Sequence, residues 1–263
     1  MPAFYAHKRF GAQVAKILPA DLGTIVNNHY TAYDIGLQGP DIFFYYRPCY
    51  INRIIKIGTG LHHAPAREFF ENALHVMKKT PRDSAQYAYL MGFITHFALD
   101  SECHSFVNGY IEKTGVAHLE IEEEFEKKLL RLDQKDPLSY PYAEKIPTDM
   151  HTAHAVSCFF PTISAHKTQR ALKDMVLVKR LFTAPNPAKQ KLINGLMRLS
   201  RQHKLYKGLM NQKIDNPACQ GSNDVLLKKL YTSVPTAAKL IQSFDRSLLT
   251  GVELPERYDR NFE

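Results

Sequence analysis

The order of hydrophobic and polar positions along the chain follows a helical period in most segments. Alternation of apolar and polar residues, which is typical of half-buried strands, is scarce, and the short aromatic run Ile42–Tyr46 is its nearest example. Breaks such as Pro185-Asn186-Pro187 separate the helical segments. Outside the middle of the chain, the pattern predicts helices over 8–18, 65–78, 147–157, 164–182, 187–206, 222–232 and 234–249.

Two further helices are predicted in the middle of the chain. The tetrapeptide Thr-Pro-Arg-Asp at 80–83 is typical of a helix start, with a threonine cap and proline at the first helical position. The helix is expected to run to about residue 103 or His104, with Gly109 beyond its end. The second helix is expected from near Gly115 to about Leu132.

No internal repeat, low-complexity segment or interdomain linker interrupts this pattern. The chain has 263 residues, of which 44% are hydrophobic, and this is ample for a sizeable core. We therefore predict an all-α protein whose residues 1–263 form a single compact multi-helix domain.

Composition favours a cytoplasmic protein. The start of the chain lacks a charged segment followed by an apolar run, so no secretory signal is visible. No stretch approaches the roughly 20 apolar residues that span a bilayer. The four cysteines are far apart and predict reduced, mostly buried thiols: Cys49, Cys103, Cys158 and Cys219.

The candidate chemistry begins on the first of the two central helices. His96, Asp100 and His104 are spaced i, i+4, i+8, so that all three side chains can point into one cavity. Gly92 lies one turn earlier on the same stripe, where we expect it to leave space for a bound ion or substrate.

The second central helix gives an independent signal, because His118 and Glu122 are again spaced i, i+4. Both lie on the predicted apolar stripe, which consists of Ile121, Phe125, Leu129 and Leu132. The other acidic residues are expected largely off that stripe: Glu120, Glu123, Glu124 and Glu126. A carboxylate that points inward must be paired or ligated, since burial of a lone charge is very costly.

Imidazole nitrogen and carboxylate oxygen are ligands that suit zinc and similar metals. Any one of these residues is more often a satisfied core histidine or a solvated glutamate than a ligand. Five candidates on two consecutive helices favour a metal site. Neither an H-E-x-x-H motif nor a His-Asp dipeptide is present, which argues against thermolysin-like proteases and HD-type phosphohydrolases.

The series His96-x-x-x-Asp100, His104 and His118-x-x-x-Glu122 resembles the bacterial zinc-dependent phospholipase C family. The resemblance covers roughly residues 1–130, which should hold the metal-site residues, whereas 140–250 is a helical part without a specific match. It implies an all-helical hydrolase with two or three zinc ions in a cleft. Single-strand-specific zinc nucleases have a similar arrangement, so the fold alone leaves the substrate open.

The resemblance also implies ligands nearer the start of the chain. His7 fits the first family histidine, Asp41 the aspartate at the catalytic metals, and either His62 or His63 the next histidine, of which we choose His62. By this carry-over His104, His118 and Glu122 hold one zinc. A second is held by His62 and His96 with Asp100, which bridges to a third held partly by His7.

One departure from the family concerns the third zinc. Secreted members mature to an N-terminal tryptophan whose amine and carbonyl complete that site, and this chain contains no tryptophan. A new N-terminal amine after removal of Met1 is an alternative donor.

The reaction implied by the resemblance is hydrolysis of a phospholipid or other phosphodiester, with zinc lowering the pKa of a bound water. Asp41 is the candidate to orient or deprotonate that water, and metal ligation is its competing role. Two alternatives remain: a zinc-dependent single-strand nuclease, and a family member that binds metal without turnover.

Charge bears on the partners. The formal net charge is +8 and the pI about 9.2, which favours anionic partners. Residues 175–214 contain nine Lys or Arg and no Asp or Glu. The segment 188–206 combines leucines with basic residues: Leu192, Leu196, Leu199, Lys189, Arg198, Arg201 and Lys204. This combination is compatible with contact to an anionic membrane surface, or less readily to nucleic acid. We interpret it as a solvated helix face over an ordinary core.

Overall fold

The computed structural model describes residues 4–263, and every regular element among them is a helix. The all-α class is therefore confirmed. Short 3-10 helices occur at Gly39–Tyr45, Ala143–Lys145, Lys207–Leu209, Pro217–Cys219 and Glu256–Asp259. The α-helices in chain order are α1 (Phe4–Ile17), α2 (Ala20–Asn28), α3 (Tyr30–Gly36), α4 (Arg53–His63), α5 (Ala66–Met77), α6 (Ala85–Thr114), α7 (His118–Leu132), α8 (Met150–Ser157), α9 (Ala165–Phe182), α10 (Pro187–Leu199), α11 (His203–Tyr206) and α12 (Gln220–Thr250).

Helix α6 is the central element, and its first half is buried on almost every side. The Ser84 hydroxyl caps it by accepting the backbone N–H of Tyr87 at 3.3 Å, so the predicted start at Thr80 is wrong. The predicted end near His104 is also wrong, because Gly109 lies within the helix and Gly115 ends it with φ of 68°. The last turns keep packing through Val107, which is fully buried.

The closest helix packing joins α3 to α6. A Cβ on Gly36 would lie 2.2 Å from the carbonyl oxygen of Tyr89, and one on Gly92 would lie 2.3 Å from that of Tyr33. The expectation that Gly92 leaves space for an ion or substrate is therefore wrong, because the α3 backbone fills that space. This close approach fixes the following segment 39–45 against α6.

Helix α7 is buried on more sides than its apolar stripe predicts. Leu132, which was expected on the stripe, is 52% exposed. The acidic residues that were expected off the stripe are all buried: Glu120, Glu123, Glu124 and Glu126. The segment 207–217 covers the outer face of α7 and supplies partners for Glu120, Glu123 and Glu124. Glu126 instead accepts a hydrogen bond from the backbone N–H of Tyr5 in α1. The backbone N–H of Gln212 donates to Glu123 at 2.7 Å, and that of Asn216 donates to Glu124 at 2.6 Å.

Two predicted boundaries in the C-terminal part are wrong in opposite senses. The helices expected at 222–232 and 234–249 are one helix, α12, which continues through Pro235 at the loss of one backbone hydrogen bond. The helix expected at 187–206 divides into α10 and α11, because Arg201 between them adopts φ of 59°, in the left-handed region.

Helix α10 turns Ile193 and Met197 inward, together with Gln190, and these two apolar residues belong to a small core cluster. Leu192, Leu196 and Leu199 face outward and are 64%, 57% and 84% exposed. The helix therefore has a solvated face over a core, but its leucines lie on the solvated face.

The main hydrophobic core extends from Phe4 in α1 to Phe262 and draws on the chain between them, except for residues 177–218. A small second cluster consists of Ala184, Ile193, Met197 and Met210. The single domain over 1–263 stays a prediction, which the continuity of the main core favours. No helix within residues 4–263 combines the length and apolar character needed to cross a membrane.

Candidate metal centre

The candidate site lies where five elements meet at the middle of α6. Within the described residues the structure brings together all eight side chains that sequence reasoning singled out. They are His7 of α1, Asp41 of the 39–45 segment, His62 of α4, His96, Asp100 and His104 of α6, and His118 and Glu122 of α7. The N-terminal amine considered as a donor lies outside the described residues.

Asp100 is at the centre of the cluster and is fully buried. Its Oδ1 lies 3.2 Å from Nε2 of His7, and its Oδ2 lies 3.2 Å from Nε2 of His96. Nε2 of His62 and Nδ1 of His104 are farther from Oδ2, at 3.9 and 3.8 Å. A single carboxylate thus faces imidazoles from three helices.

Asp41 enters from the 3-10 helix that follows α3. Its Oδ1 lies 3.0 Å from Nε2 of His62, and both side chains are buried. The neighbouring His63 is 61% exposed at its side chain and pairs with Glu263 at 3.0 Å. Of the two histidines left open by the sequence, the structure places His62 in the cluster and His63 at the surface.

The end of the cluster nearest α7 is formed by His104, His118 and Glu122. Nε2 of His118 lies 2.7 Å from Oε1 of Glu122, one turn farther along the helix. The rings of His104 and His118 lie 5.5 Å apart between centroids. The imidazole of His118 is 34% exposed, so this end of the cluster reaches solvent.

Backbone carbonyls orient three of the imidazoles. Nδ1 of His62 lies 2.9 Å from the oxygen of Gly58, Nδ1 of His96 lies 3.1 Å from that of Leu37, and Nδ1 of His104 lies 2.7 Å from that of Phe262. If these nitrogens donate, the Nε2 lone pairs point into the cluster. This arrangement is the usual support of a metal-binding histidine.

Burial and charge act against each other in this cluster. The imidazoles of His96, His104 and His7 hold the pKa of Asp100 well below its usual range, although burial alone would raise it. The pKa of Asp41 is lowered to about 2, because His62 and His96 outweigh the effect of burial. These carboxylates therefore remain ionised near neutral pH.

The histidines divide into two groups. Burial lowers the pKa of His96, and burial lowers that of His104 to about 4, so both are neutral near neutral pH. The pKa of His118 is raised by Glu122, and that of His62 is raised by Asp41 against the effect of burial. His96 and His104, as neutral imidazoles beside ionised carboxylates, are in the protonation state that metal ligation needs. At His118 and His62, a metal would replace the proton that the neighbouring carboxylate favours.

The donor set fits zinc. Three groups each have ligand atoms within 4.8 Å of one another: His7, His96 and Asp100; Asp41, His62 and His96; and His104, His118 and Glu122. Nitrogen and oxygen donors in threes are typical of zinc sites that keep an open position. Moreover, Nε2 of His96 and Oδ1 of Asp41 are buried without a well-aligned hydrogen bond among the described residues.

These groups can be compared with the implied ligand sets. The group of His104, His118 and Glu122 has the composition that the resemblance implies. The other two differ in detail, because Asp41 accompanies His62 and His96, whereas Asp100 accompanies His7 and His96. Asp100 still lies within reach of His62, which leaves room for a bridging role.

Sequence reasoning missed the groups that support the cluster. The carbonyls of Leu37, Gly58 and Phe262 carry no sequence signal, because every residue has one. A second omission is Lys179, whose ammonium lies 5.2 Å from the ring centroid of Tyr142 and beside the buried Glu126. Lys179 and Glu126 line a cavity that Glu122 also lines. The segment 175–214 contains nine Lys or Arg residues and no acidic residue, and this pattern does not show which of the nine points inward.

Comparison with known proteins gives one match. A family model described as zinc dependent phospholipase C matches residues 6–166, and this range contains every residue of the candidate centre. The match extends beyond the range 1–130 that carried the resemblance. No curated protein and no solved structure matches the chain.

Proposed function

We propose that this chain, which belongs to the zinc-dependent phospholipase C family, hydrolyses a phospholipid or a smaller phosphodiester at the cluster centred on Asp100. The observation that carries the proposal is the convergence of three nitrogen and oxygen donor groups around one buried aspartate. Isolated buried charges are costly, and a metal accounts for all of them at once.

The proposed ligands follow from the geometry of the three groups. His104, His118 and Glu122 would hold one zinc, and Asp41 with His62 a second. His96 belongs to two groups but offers only Nε2, because its Nδ1 faces the carbonyl of Leu37. It can therefore serve one ion.

A carboxylate has two oxygens, so Asp100 is the residue suited to bridge. Its Oδ1 faces His7 and its Oδ2 faces His96. We propose that Asp100 joins the second ion to a third that is held partly by His7. The number of ions is two or three accordingly.

Bound zinc supplies a water of lowered pKa and neutralises charge on the phosphate oxygens. The protein side chains have distinct parts in that chemistry. Asp41 remains ionised and can accept a hydrogen bond from the attacking water, which orients the water toward the phosphorus. Direct metal ligation is the competing role of Asp41.

The first experiment is elemental analysis of protein purified without added metal. We expect two or three zinc ions per chain, and fewer in the double variant His118→Ala, Glu122→Ala. The control is His63→Ala, which removes the exposed histidine next to His62 in the sequence and should leave the metal content unchanged. If the wild-type chain holds no transition metal and takes none up on titration, the proposal fails.

The second experiment compares substrates: phospholipid vesicles, a soluble bis-aryl phosphodiester and single-stranded DNA. Hydrolysis of phospholipid or the small diester supports the proposal, whereas cleavage of DNA alone would replace it with the nuclease. Asp41→Asn separates the two roles of Asp41. A fall in rate with full metal content indicates orientation of water, and loss of metal indicates ligation. Full metal content in both proteins, with no hydrolysis of any of these substrates by the wild type or the variant, would indicate a member that binds metal without turnover.

A further inference from the structure

Helix α10 and the following α11 present an apolar surface to solvent. Leu192, Leu196 and Leu199 are spaced i, i+4, i+7, which puts them on one face of α10. They are 64%, 57% and 84% exposed, and Leu205 of α11 is 52% exposed. We call these four leucines the leucine face.

The inner face of α10 shows that this orientation is built into the fold. Gln190 donates to the carbonyls of Ala184 at 3.0 Å and Asn211 at 3.2 Å. Asn194, one turn later, donates to the side chain of Gln212 at 2.9 Å. Amide side chains thus attach the helix to the protein while its leucines face outward.

The start of α10 is also fixed. Lys189 donates to the carbonyl oxygens of Arg180 at 2.9 Å and Thr183 at 2.7 Å at the end of α9. On the outer side, a Cβ on Gly195 would meet nothing within 4 Å, so no other part of the described chain covers this face. The leucine face is therefore held in place and open.

Charge decides which partner suits such a face. Lys191 and Arg198 flank the leucines on α10 and are exposed, and Arg201 and Lys204 follow at once. Residues 175–214 contain no acidic residue. A second copy of the same face would bring like charges together, so the partner must be apolar and anionic at once.

We propose that the leucine face is a docking surface for an anionic lipid bilayer. An interfacial helix buries its apolar side at the level of the headgroups while flanking Lys and Arg contact anionic lipid. The surface lies outside residues 6–166, which the family model matches, so it is a feature of this chain's own C-terminal part. The inference goes beyond the proposed function and does not require turnover.

The test is co-sedimentation with phosphatidylglycerol vesicles and with phosphatidylcholine vesicles, in chelator so that nothing is hydrolysed. The full chain should bind the anionic vesicles more tightly, and high salt should weaken that binding. The triple variant Leu192→Gln, Leu196→Gln, Leu199→Gln should bind at least about tenfold more weakly. Lys191→Gln with Arg198→Gln should abolish the preference for anionic vesicles.

The matched control is Leu249→Gln, which removes a leucine that is 65% exposed near the end of α12. It should bind vesicles as the wild type does. The triple variant should also retain wild-type hydrolysis of the soluble diester, which separates docking from the candidate centre. Conversely, Asp100→Asn should dock normally even if it is inactive.

Four results would overturn the inference. One is that wild-type protein fails to sediment with either vesicle. Another is that the triple variant binds as tightly as the wild type. The third is that the leucine substitutions abolish a concentration-dependent dimer in light scattering, which would assign the face to a second copy. The fourth is that the basic residues, but not the leucines, govern binding to single-stranded DNA, which would assign the face to nucleic acid.

Discussion

Soluble proteins usually bury apolar residues and expose charged ones. The centre of this molecule buries charged residues, whereas the outer face of α10 exposes leucines. Asp100 is fully buried at the centre, and Lys127 is fully buried on α7, where the segment 207–217 contacts it. On α10, Leu199 is 84% exposed while Gln190 is buried. Sequences are usually consistent with their folds, and local departures concentrate at functional sites. The comparison therefore favours a metal centre around Asp100 and a docking surface on the outer face of α10.

The two departures are stabilised differently. Each buried charge has partners: Lys127 lies 3.0 Å from Glu123, 2.9 Å from Glu124 and 3.0 Å from Asp215. The exposed leucines contact nothing that compensates for their exposure. Substitution should consequently damage the centre severely and leave the stability of the α10 face unaffected. The predictions below proceed from the largest expected effect to the smallest.

The largest effect is expected at Asp100. Asp100→Asn keeps the size of the side chain but removes the charge that faces four imidazoles from three helices. We expect zinc content to fall and hydrolysis of the soluble diester to drop to background, measured by elemental analysis and by product release. Circular dichroism should confirm that the helices persist. Wild-type activity in this variant would remove Asp100 from the proposed metal centre.

Replacement of Lys127 tests the other buried charge. Lys127→Met leaves Glu123 and Glu124 without their shared cation, and loss of one member of a buried ion pair costs about 3–5 kcal/mol. The free energy of unfolding, measured with urea, should fall by that amount. Lys128→Met is the control, because Lys128 is a more exposed neighbour paired with Asp224, and it should change stability by less than about 1 kcal/mol.

A smaller effect is expected at Gly39. It has φ of 51°, and a Cβ there would lie 2.3 Å from the ring of His96. Gly39→Ala should destabilise the protein by about 1–3 kcal/mol through backbone strain, and it should weaken zinc binding by displacing His96. Gly109→Ala, where a Cβ meets nothing within 4 Å, should instead stabilise slightly. Equal effects of the two substitutions would show that the contact with His96 is unimportant.

His104 gives the centre a pH dependence in the metal-free protein. Its pKa is about 4 when folded, and an unfolded histidine titrates near 6.5. The unfolded state therefore binds the proton first, and the free energy of unfolding should fall as pH decreases from about 6.5 to about 4, by on the order of 3 kcal/mol. In His104→Asn, which keeps a donor for the carbonyl of Phe262, the decline in the urea-derived profile should be smaller, and His96, whose pKa is also lowered by burial, accounts for what remains. An unchanged profile would contradict the assignment.

The smallest effect is expected on the leucine face. Leu192→Gln, Leu196→Gln and Leu199→Gln should each change the free energy of unfolding by no more than about 0.5 kcal/mol, because the side chains are already in water. Thermal melting of the three single variants measures this. A loss of several kcal/mol would mean that these leucines belong to a core after all.

The sequence predicted the site better than the helices that hold it. Ligand types at i, i+4 spacing locate His96, Asp100, His118 and Glu122, because the helical period alone brings them together. The burial of the glutamates of α7 could not be predicted, since the partners of Glu120, Glu123 and Glu124 include groups of 207–217, some 90 residues later. The partner of Glu126 is Tyr5, 121 residues earlier. The helical pattern of the sequence also missed α2, α3 and α4.

Boundaries failed where a tertiary contact outweighs a local signal. Pro235 is a strong breaker, yet α12 continues through it. Thr80 and Pro81 form a convincing helix start, yet Ser84 provides the cap. The wrong role given to Gly92 has the same origin, because its neighbour Gly36 lies 56 positions earlier on α3. A one-dimensional period does not reveal which helix will pack into the space at a glycine.

The carbonyl of Phe262 has a consequence for the order in which the protein is made. It accepts from His104, 158 residues earlier in the chain, and the N–H of Phe262 donates to the carbonyl of His62 at 3.1 Å. During translation both histidines emerge long before Phe262 does. The nascent chain therefore carries every candidate ligand while His104 still lacks this anchor. Maturation of the centre therefore waits until Phe262 has been synthesised, long after the last candidate ligand, Glu122.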